Sequence, residues 1–168
     1  MKAVWVTDLH LEFLREEGKR ELFLRKLADS GADAVLLGGD IQIAGALIET
    51  LRQLETSVGV PVYFALGNHD YYYGSIKRVR GDIRTLCGES KNLLWLSESR
   101  AITLSEKTAL VGHDGWGDGR CGNYASSIVT LNDFLVIEEL SGLPRKVPSY
   151  MMDVLGGQVR ATLAGSSP

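Results

Sequence analysis

The sequence predicts an α/β fold in which helices pack on a parallel sheet. Short apolar runs alternate with segments that have the 3.6-residue apolar spacing of amphipathic helices. Such alternation requires crossover connections between parallel strands, and these are right-handed in nearly all known sheets. In addition, each of the first three apolar runs ends in a polar cluster, and the carboxyl ends of parallel strands share one edge of the sheet. A functional site is therefore expected at that edge.

The individual elements follow from local composition. Short apolar runs predict strands at residues 2–7, 34–37, 62–66, 93–96, 101–104 and 108–111, and the first of them is rich in β-branched residues. Helical spacing predicts helices at residues 16–30, 44–58, 75–86, 131–140 and 150–164. Gly31 ends the first helix, and Gly59 with Pro61 ends the second. The glycine-rich stretch 112–127 is typical of a long functional loop.

Composition favours one globular domain over residues 1–168. The chain is 45% hydrophobic and 23% charged, as is usual for globular domains. Its net charge of −3 offers no basic field for nucleic acid. No stretch has the pattern of a membrane span or a signal peptide. We therefore expect a cytoplasmic protein, with Cys87 and Cys121 as reduced thiols; its oligomeric state is not predicted.

The first two polar clusters carry carboxylates and an imidazole. Asp8 and His10 are two residues apart, so on extended chain their side chains project to the same side and can bind one cation. An aspartate that caps the next helix and a surface histidine explain the pair nearly as well. Asp40 follows two glycines, which allow a sharp turn and close approach to a ligand. Its carboxylate can bridge two metals or, alternatively, cap the next helix.

The third cluster, Gly67-Asn68-His69-Asp70, is the most specific. Asn68 offers a neutral oxygen ligand, and His69 offers an acid or base near neutral pH. Asp70 supplies a carboxylate that can orient or charge the imidazole. A turn with hydrogen-bonding side chains is the structural alternative. Three such clusters in this order, each after a strand, favour a metal site.

The sequence D-x-H, then G-D, then G-N-H-[DE], each ending a strand, resembles the calcineurin-like metallophosphoesterase superfamily. The resemblance is strong over residues 1–76 and weaker over 110–135. In the weaker part, Gly112-His113-Asp114-Gly115-Trp116 is similar to a glycine–tryptophan segment of bacterial members. The resemblance implies an αββα sandwich of two packed sheets with a centre of two divalent metal ions, such as Mn, Fe or Zn.

The resemblance also implies roles for individual residues. Asp8 and His10 would bind the first metal, Asp40 would bridge both, and Asn68 would bind the second. In such enzymes a metal-bound hydroxide attacks phosphorus in line. His69 would then stabilise the transition state or protonate the leaving oxygen, with Asp70 beside it. The implied partner is a phosphate ester, and the implied activity is hydrolysis of phosphomono- or diesters.

The chain also departs from the family pattern, because the late G-H-x-H motif is absent. His10, His69 and His113 are its only histidines. We therefore expect a sandwich that is incomplete at its carboxyl end, with a truncated enzyme, a single-metal site or a site completed by another chain as alternatives. His113 is then a further metal ligand, a residue that shapes the substrate pocket, or a residue that packs the loop. Arg120 either binds a phosphate oxygen or is a solvated loop residue. Residues 71–73 either line a substrate rim or pack in the core. A non-catalytic scaffold or an inactive fragment retaining the fold is the alternative function.

Overall fold

The computed structural model describes residues 1–16, 18–115, 123 and 126–142. Strands and helices alternate along the first part of the chain. In order they are β1 (Ala3–Val6), α1 (Lys19–Ala28), β2 (Ala34–Gly38), α2 (Ala44–Val58), β3 (Val62–Ala65), α3 (Ile76–Glu89) and β4 (Leu93–Trp95). A hairpin of β5 (Ile102–Ser105) and β6 (Thr108–Leu110) follows, and then the short α4 (Asp133–Val136).

The first four strands form one sheet in the order β1-β2-β3-β4, and every neighbouring pair is parallel. Because the spatial order equals the chain order, right-handed crossovers place all the connecting helices on the same face. Residues from α1, α2 and α3 accordingly belong to one apolar cluster with the strands. The predicted α/β class with a parallel sheet is confirmed.

The core lies between that face of the sheet and the helices. Val35, Val62 and Leu93 pair in one row across β2, β3 and β4, and all three are buried. The next buried row, two residues along each strand, comprises Leu37, Phe64 and Trp95, and the helices add Leu27, Leu47, Leu51, Leu54, Val79, Ile83 and Leu86. Burial of these side chains supplies the main driving force for folding.

The opposite face of the sheet is more accessible. Trp5, Leu36, Tyr63 and Leu94 lie at one register across all four strands. Trp5 is 72% exposed, and the other three are half-buried. Within the described ranges, the second sheet consists of the antiparallel β5–β6 pair alone. Two fully packed sheets, and a single domain over 1–168, therefore stay predictions.

Two helices are shorter than their predicted extents. α1 begins at Lys19 rather than residue 16, because Gly18 adopts a left-handed φ of 81° that cannot continue a helix. α4 spans one turn instead of 131–140, because Ile137 is extended. The helix predicted at 150–164 lies outside the described residues. None of the helices in the described ranges combines the length and apolar character needed to cross a bilayer.

Glu139 caps the start of α3 from a distant part of the chain. Its carboxylate accepts hydrogen bonds from the Ser75 hydroxyl at 2.6 Å, the Ile76 N–H at 2.8 Å and the Lys77 N–H at 3.0 Å. The first N–H groups of a helix have no partner within it, so an acceptor there is stabilising. Partial burial alone would raise the pKa of Glu139. The hydrogen bonds from Lys77, Ser75 and Ile76 outweigh it and hold the pKa below its ordinary value.

The change Glu139→Gln is expected to destabilise the protein by about 1 kcal/mol at pH 7, because the charge and one acceptor are lost. A depressed folded-state pKa means that the unfolded chain binds the proton first as the pH falls. The contribution is therefore complete above the ordinary value of 4.5 and is lost below it. Urea unfolding of both proteins should show their difference shrinking between about pH 5 and pH 3. Exposed Glu106→Gln is the control, and a pH-independent difference would contradict the assignment.

Candidate metal centre

The loops that follow β1, β2 and β3 are fastened to one another at the carboxyl edge of the sheet. The Asp8 N–H donates to the Gly39 carbonyl at 3.1 Å, and the His10 N–H donates to the Asp40 carbonyl at 2.9 Å. The His69 N–H donates to Asp40 Oδ1 at 3.0 Å. The three polar clusters therefore meet at the sheet edge where the strand pattern placed them.

The backbone at this edge is locally strained. Asp8, His10 and Asp40 have φ values of 53°, 42° and 49°. A non-glycine residue rarely adopts this left-handed conformation, which costs on the order of 1–3 kcal/mol and tends to occur at functional sites. β1 ends at Val6, so Asp8 and His10 do not lie on extended chain. The expectation that extended chain would direct both side chains to the same side is therefore wrong. The left-handed turns position them instead.

His10, Asp40 and His69 form a compact group of potential metal ligands. One ligand atom from each lies within 4.8 Å of those of the other two. His10 Nε2 is 3.8 Å from Asp40 Oδ2, and the two imidazole rings contact edge to face with centroids 4.4 Å apart. All three residues are half-buried, so solvent and a ligand can reach the group.

The charges around this group match a cation. In the described part of the chain, the ion pairs of Glu12 and Asp40 involve only His10 and His69, with neither lysine nor arginine. Glu12 Oε2 is buried and has no hydrogen-bond partner there. Burying carboxylate charge without a cationic partner is costly. Imidazole and carboxylate donors suit Mn, Fe and Zn, so the residues present fit a divalent metal.

Asn68 is oriented by a buried pair of side chains. Its Nδ2 donates to Asp133 Oδ1 at 2.8 Å and to the Tyr72 hydroxyl at 3.1 Å. The Tyr72 hydroxyl donates to the same Asp133 oxygen at 2.8 Å. Burial and the bond to Asp133 raise the pKa of Tyr72 above its ordinary value, so it remains a donor. Because its nitrogen is engaged, Asn68 has only its amide oxygen left to offer a metal.

Asp70 does not contact the imidazole it was expected to orient. Its side chain is fully buried. Oδ1 accepts from the backbone N–H groups of Ile41 at 2.8 Å and Gln42 at 3.0 Å, and Oδ2 accepts from Gly67 at 2.8 Å. Burial raises the pKa of Asp70 to about 7, although these three N–H groups lower it. Asp70 therefore ties the loop after β2 to the loop after β3.

Asp8 lies at the periphery of the site. It is exposed, and its Oδ2 accepts a hydrogen bond from the Thr7 hydroxyl at 2.6 Å. It is not one of the residues whose ligand atoms converge with those of His10 and Asp40.

Glu12 is a residue that the motif analysis missed. Its Oε1 lies 3.3 Å from Nδ1 of both His10 and His69, the position expected of Asp70. The alternation of polar residues at 8, 10 and 12 is the one signal that points to it.

The loop after β6 is anchored through Asp114, whose side chain is only 4% exposed. Asp114 accepts hydrogen bonds from five groups: the Leu66 N–H, the Tyr71 and Ser97 hydroxyls, Trp95 Nε1 and Arg80 Nη2. His113 Nδ1 instead accepts from the Gly115 N–H at 3.1 Å, and His113 is outside the converging group. Its role as a ligand stays a prediction. Trp116, Arg120, Cys121 and Tyr124 lie outside the described residues.

The three consecutive tyrosines have different environments. Tyr71 is 1% and Tyr72 is 7% exposed, whereas Tyr73 is 72% exposed. Tyr72 stacks on the His69 ring with centroids 4.1 Å apart. Tyr71 and Tyr72 therefore pack in the core, and Tyr73 is the one of the three at the surface.

A parallel sheet with imidazoles and carboxylates gathered at its carboxyl edge defines an α/β protein with a candidate metal site. The chain matches the calcineurin-like phosphoesterase family over residues 1–140 and belongs to that family. The predicted resemblance is thus confirmed. The family uses divalent metals and hydrolyses phosphate esters.

Individual relatives agree with this assignment. UDP-2,3-diacylglucosamine hydrolases from two strains of Stenotrophomonas maltophilia, K279a and R551-3, are 36% and 34% identical, with 51% of this chain and 39% of each relative covered. The chain thus spans about two fifths of the length of these relatives. The crystal structure of the phosphopantetheinyl hydrolase from Mycobacterium tuberculosis has the same fold, with a TM-score of 0.67 at 16% identity, over 97% of this chain and 62% of that one.

Proposed function

We propose that the chain acts as a metal-dependent phosphoesterase on phosphomono- or diesters, on its own or as part of a longer enzyme. The convergence of His10, Asp40 and His69 at the sheet edge, in a member of this family, carries the proposal. The relatives are named for the hydrolysis of UDP-2,3-diacylglucosamine and for phosphopantetheinyl hydrolysis. The proposed function shares with these relatives only the reaction type, which is hydrolysis. A cytoplasmic location is also part of the proposal.

The proposed metal ligands are His10, Asp40, the amide oxygen of Asn68 and, from the family resemblance, Asp8. We propose two ions of Mn, Fe, Zn or a similar metal, or one ion alone. A bound divalent cation would supply Lewis-acid stabilisation of the phosphate charge and would lower the pKa of coordinated water.

The proposed task of His69 is to donate a proton or a hydrogen bond to the leaving oxygen, a role suited to an imidazole near neutral pH. Its backbone N–H already holds Asp40 in place. Asp70 is buried and engaged with backbone N–H groups. Its proposed part in catalysis is therefore indirect, through the position of the loop that carries Asn68 and His69.

Metal-dependent stability and activity test this proposal together. Thermal unfolding with increasing Mn²⁺ should show a rise of roughly 5–10 °C in Tm when Mn²⁺ exceeds its Kd about 100-fold, which corresponds to about 2.7 kcal/mol. The same samples should hydrolyse bis(p-nitrophenyl) phosphate only when Mn²⁺ is present, and a chelator should stop the reaction. The absence of both a Tm shift and hydrolysis at saturating Mn²⁺ would contradict the proposal.

A non-catalytic scaffold is the second candidate. The absence of the late histidine motif, with no histidine after His113, favours it. The convergence of His10, Asp40 and His69 favours the enzyme. Unchanged Tm at saturating Mn²⁺, with the fold intact by circular dichroism, would support the scaffold.

A further inference from the structure

We propose that Glu12 is a positioning residue that holds both His10 and His69 in one tautomer and one orientation. In that state, Nδ1 of each neutral ring carries the proton. Nε2 of His10 is then the nitrogen available to a metal, and His69 donates to a leaving oxygen from Nε2 only after that nitrogen has also taken up a proton from solvent. The effect of this state on metal binding rests on the proposed function. The contacts of Glu12 with the two rings are present without a metal.

The contacts of Glu12 are the main support. A single carboxylate oxygen, Oε1, lies 3.3 Å from His10 Nδ1 and 3.3 Å from His69 Nδ1. An ionised carboxylate only accepts hydrogen bonds, so each facing ring nitrogen must be the donor. A neutral imidazole has one N–H, and its other nitrogen then has a free lone pair. In His10 that other nitrogen, Nε2, is the one 3.8 Å from Asp40.

The Glu12 side chain is firmly placed. It lies in a one-turn 3-10 helix, Leu11–Phe13. Its neighbour Leu11 is 3% exposed and lies in the core. The Leu11 N–H donates to the Ile41 carbonyl at 3.1 Å, which ties the turn to the loop that carries Asp40. The Glu12 side chain is 13% exposed. Its anchored backbone and half-buried side chain favour one fixed contact with both rings.

The second oxygen of Glu12 indicates that the carboxylate is not merely a structural link. Oε2 is buried and has no hydrogen-bond partner among the described residues. A buried carboxylate oxygen left without a donor reduces stability. A carboxylate that accepts a hydrogen bond from a metal-ligating histidine raises the basicity of that ring toward the metal. Carboxylates that accept from metal-ligating histidines typically contribute 10–100-fold to metal affinity.

The experiment measures histidine tautomers in the metal-free protein. Long-range ¹H–¹⁵N spectra of ¹⁵N-histidine-labelled protein at about pH 8, where imidazole is neutral, distinguish the two tautomers of each ring. The wild type should show Nδ1–H for His10 and His69. Glu12→Ala should shift both rings toward Nε2–H and weaken Mn²⁺ binding about 10–100-fold. Glu12→Gln keeps an acceptor oxygen, so it should retain the Nδ1–H tautomers with a smaller loss of affinity.

Controls separate this inference from the fold and from the proposed function. Glu16→Ala, at an exposed position that pairs with Lys19, should change neither the tautomers nor Mn²⁺ binding. If Glu12→Ala does not fold, the wild-type and Glu12→Gln spectra still decide. Nε2–H rings in the wild type would overturn the inference, as would Glu12→Ala losing metal with unchanged tautomers. Nδ1–H rings in a protein that binds no Mn²⁺ would support the inference and refute the proposed function.

Discussion

Replacing Gly67 by alanine is expected to disrupt the candidate metal centre and destabilise the protein by about 2–4 kcal/mol. A Cβ at this position would lie 2.7 Å from the Asp40 backbone nitrogen and 2.8 Å from Asp40 Cγ, and closer still to Oδ1. Such distances cannot be accommodated, so the loop or the Asp40 carboxylate must move. The same carboxylate accepts the His69 N–H, so displacement would separate the converging ligands. Urea unfolding and Mn²⁺-dependent Tm shifts measure the two effects.

Gly45→Ala is the matched control for this change. Gly45 lies in α2, and a Cβ there would meet no atom within 4 Å. Alanine is favoured over glycine inside a helix, so this variant should gain about 0.5–1 kcal/mol and bind Mn²⁺ normally. If Gly67→Ala keeps the stability and Mn²⁺ binding of the wild type, Gly67 does not approach Asp40 as closely as described above.

The change Asp40→Asn is expected to lower the proposed phosphoesterase activity by about 10³-fold, or about 4 kcal/mol of transition-state stabilisation. The substitution removes the negative charge that lies between His10 and His69. An asparagine oxygen can still accept the His69 N–H, so unfolding free energy should change by less than about 1 kcal/mol. Hydrolysis of bis(p-nitrophenyl) phosphate and the Mn²⁺-dependent rise in Tm are the measurements.

Asp82→Asn provides the comparison, because Asp82 is exposed on α3 and its substitution removes the same charge. It should leave hydrolysis and Mn²⁺ binding unchanged. Full activity in Asp40→Asn would eliminate this carboxylate from the mechanism.

Much of the fold was predictable because its signals are local. The apolar runs located β1 to β4, and α2 spans Ala44–Val58 as its spacing predicted. The extent of α4 was not predictable, because contacts with distant residues determine it. Asp133 there bonds to Tyr72, and the Val136 carbonyl accepts the Tyr73 N–H. Those long-range contacts override the helical spacing of 131–140.

The site was predictable in its residue types more than in its contacts. The strand-end rule brought Asp40 and His69 to one edge, as the structure shows. It could not assign Asp70, because burial and three backbone donors depend on tertiary packing. Nor could it identify Glu12, since a left-handed turn at His10 directs that side chain back toward both imidazoles. Backbone turns of this kind leave little trace in spacing.

The bond between Asn68 and Asp133 spans 65 positions. A ribosome adds roughly 5–20 residues per second, so roughly several seconds separate the synthesis of the two partners. The segments of β1, β2 and β3 are therefore synthesised before Asp133, one of the two acceptors of the asparagine amide. The carboxylate that orients the proposed ligand Asn68 thus comes from a segment of the polypeptide that is made much later.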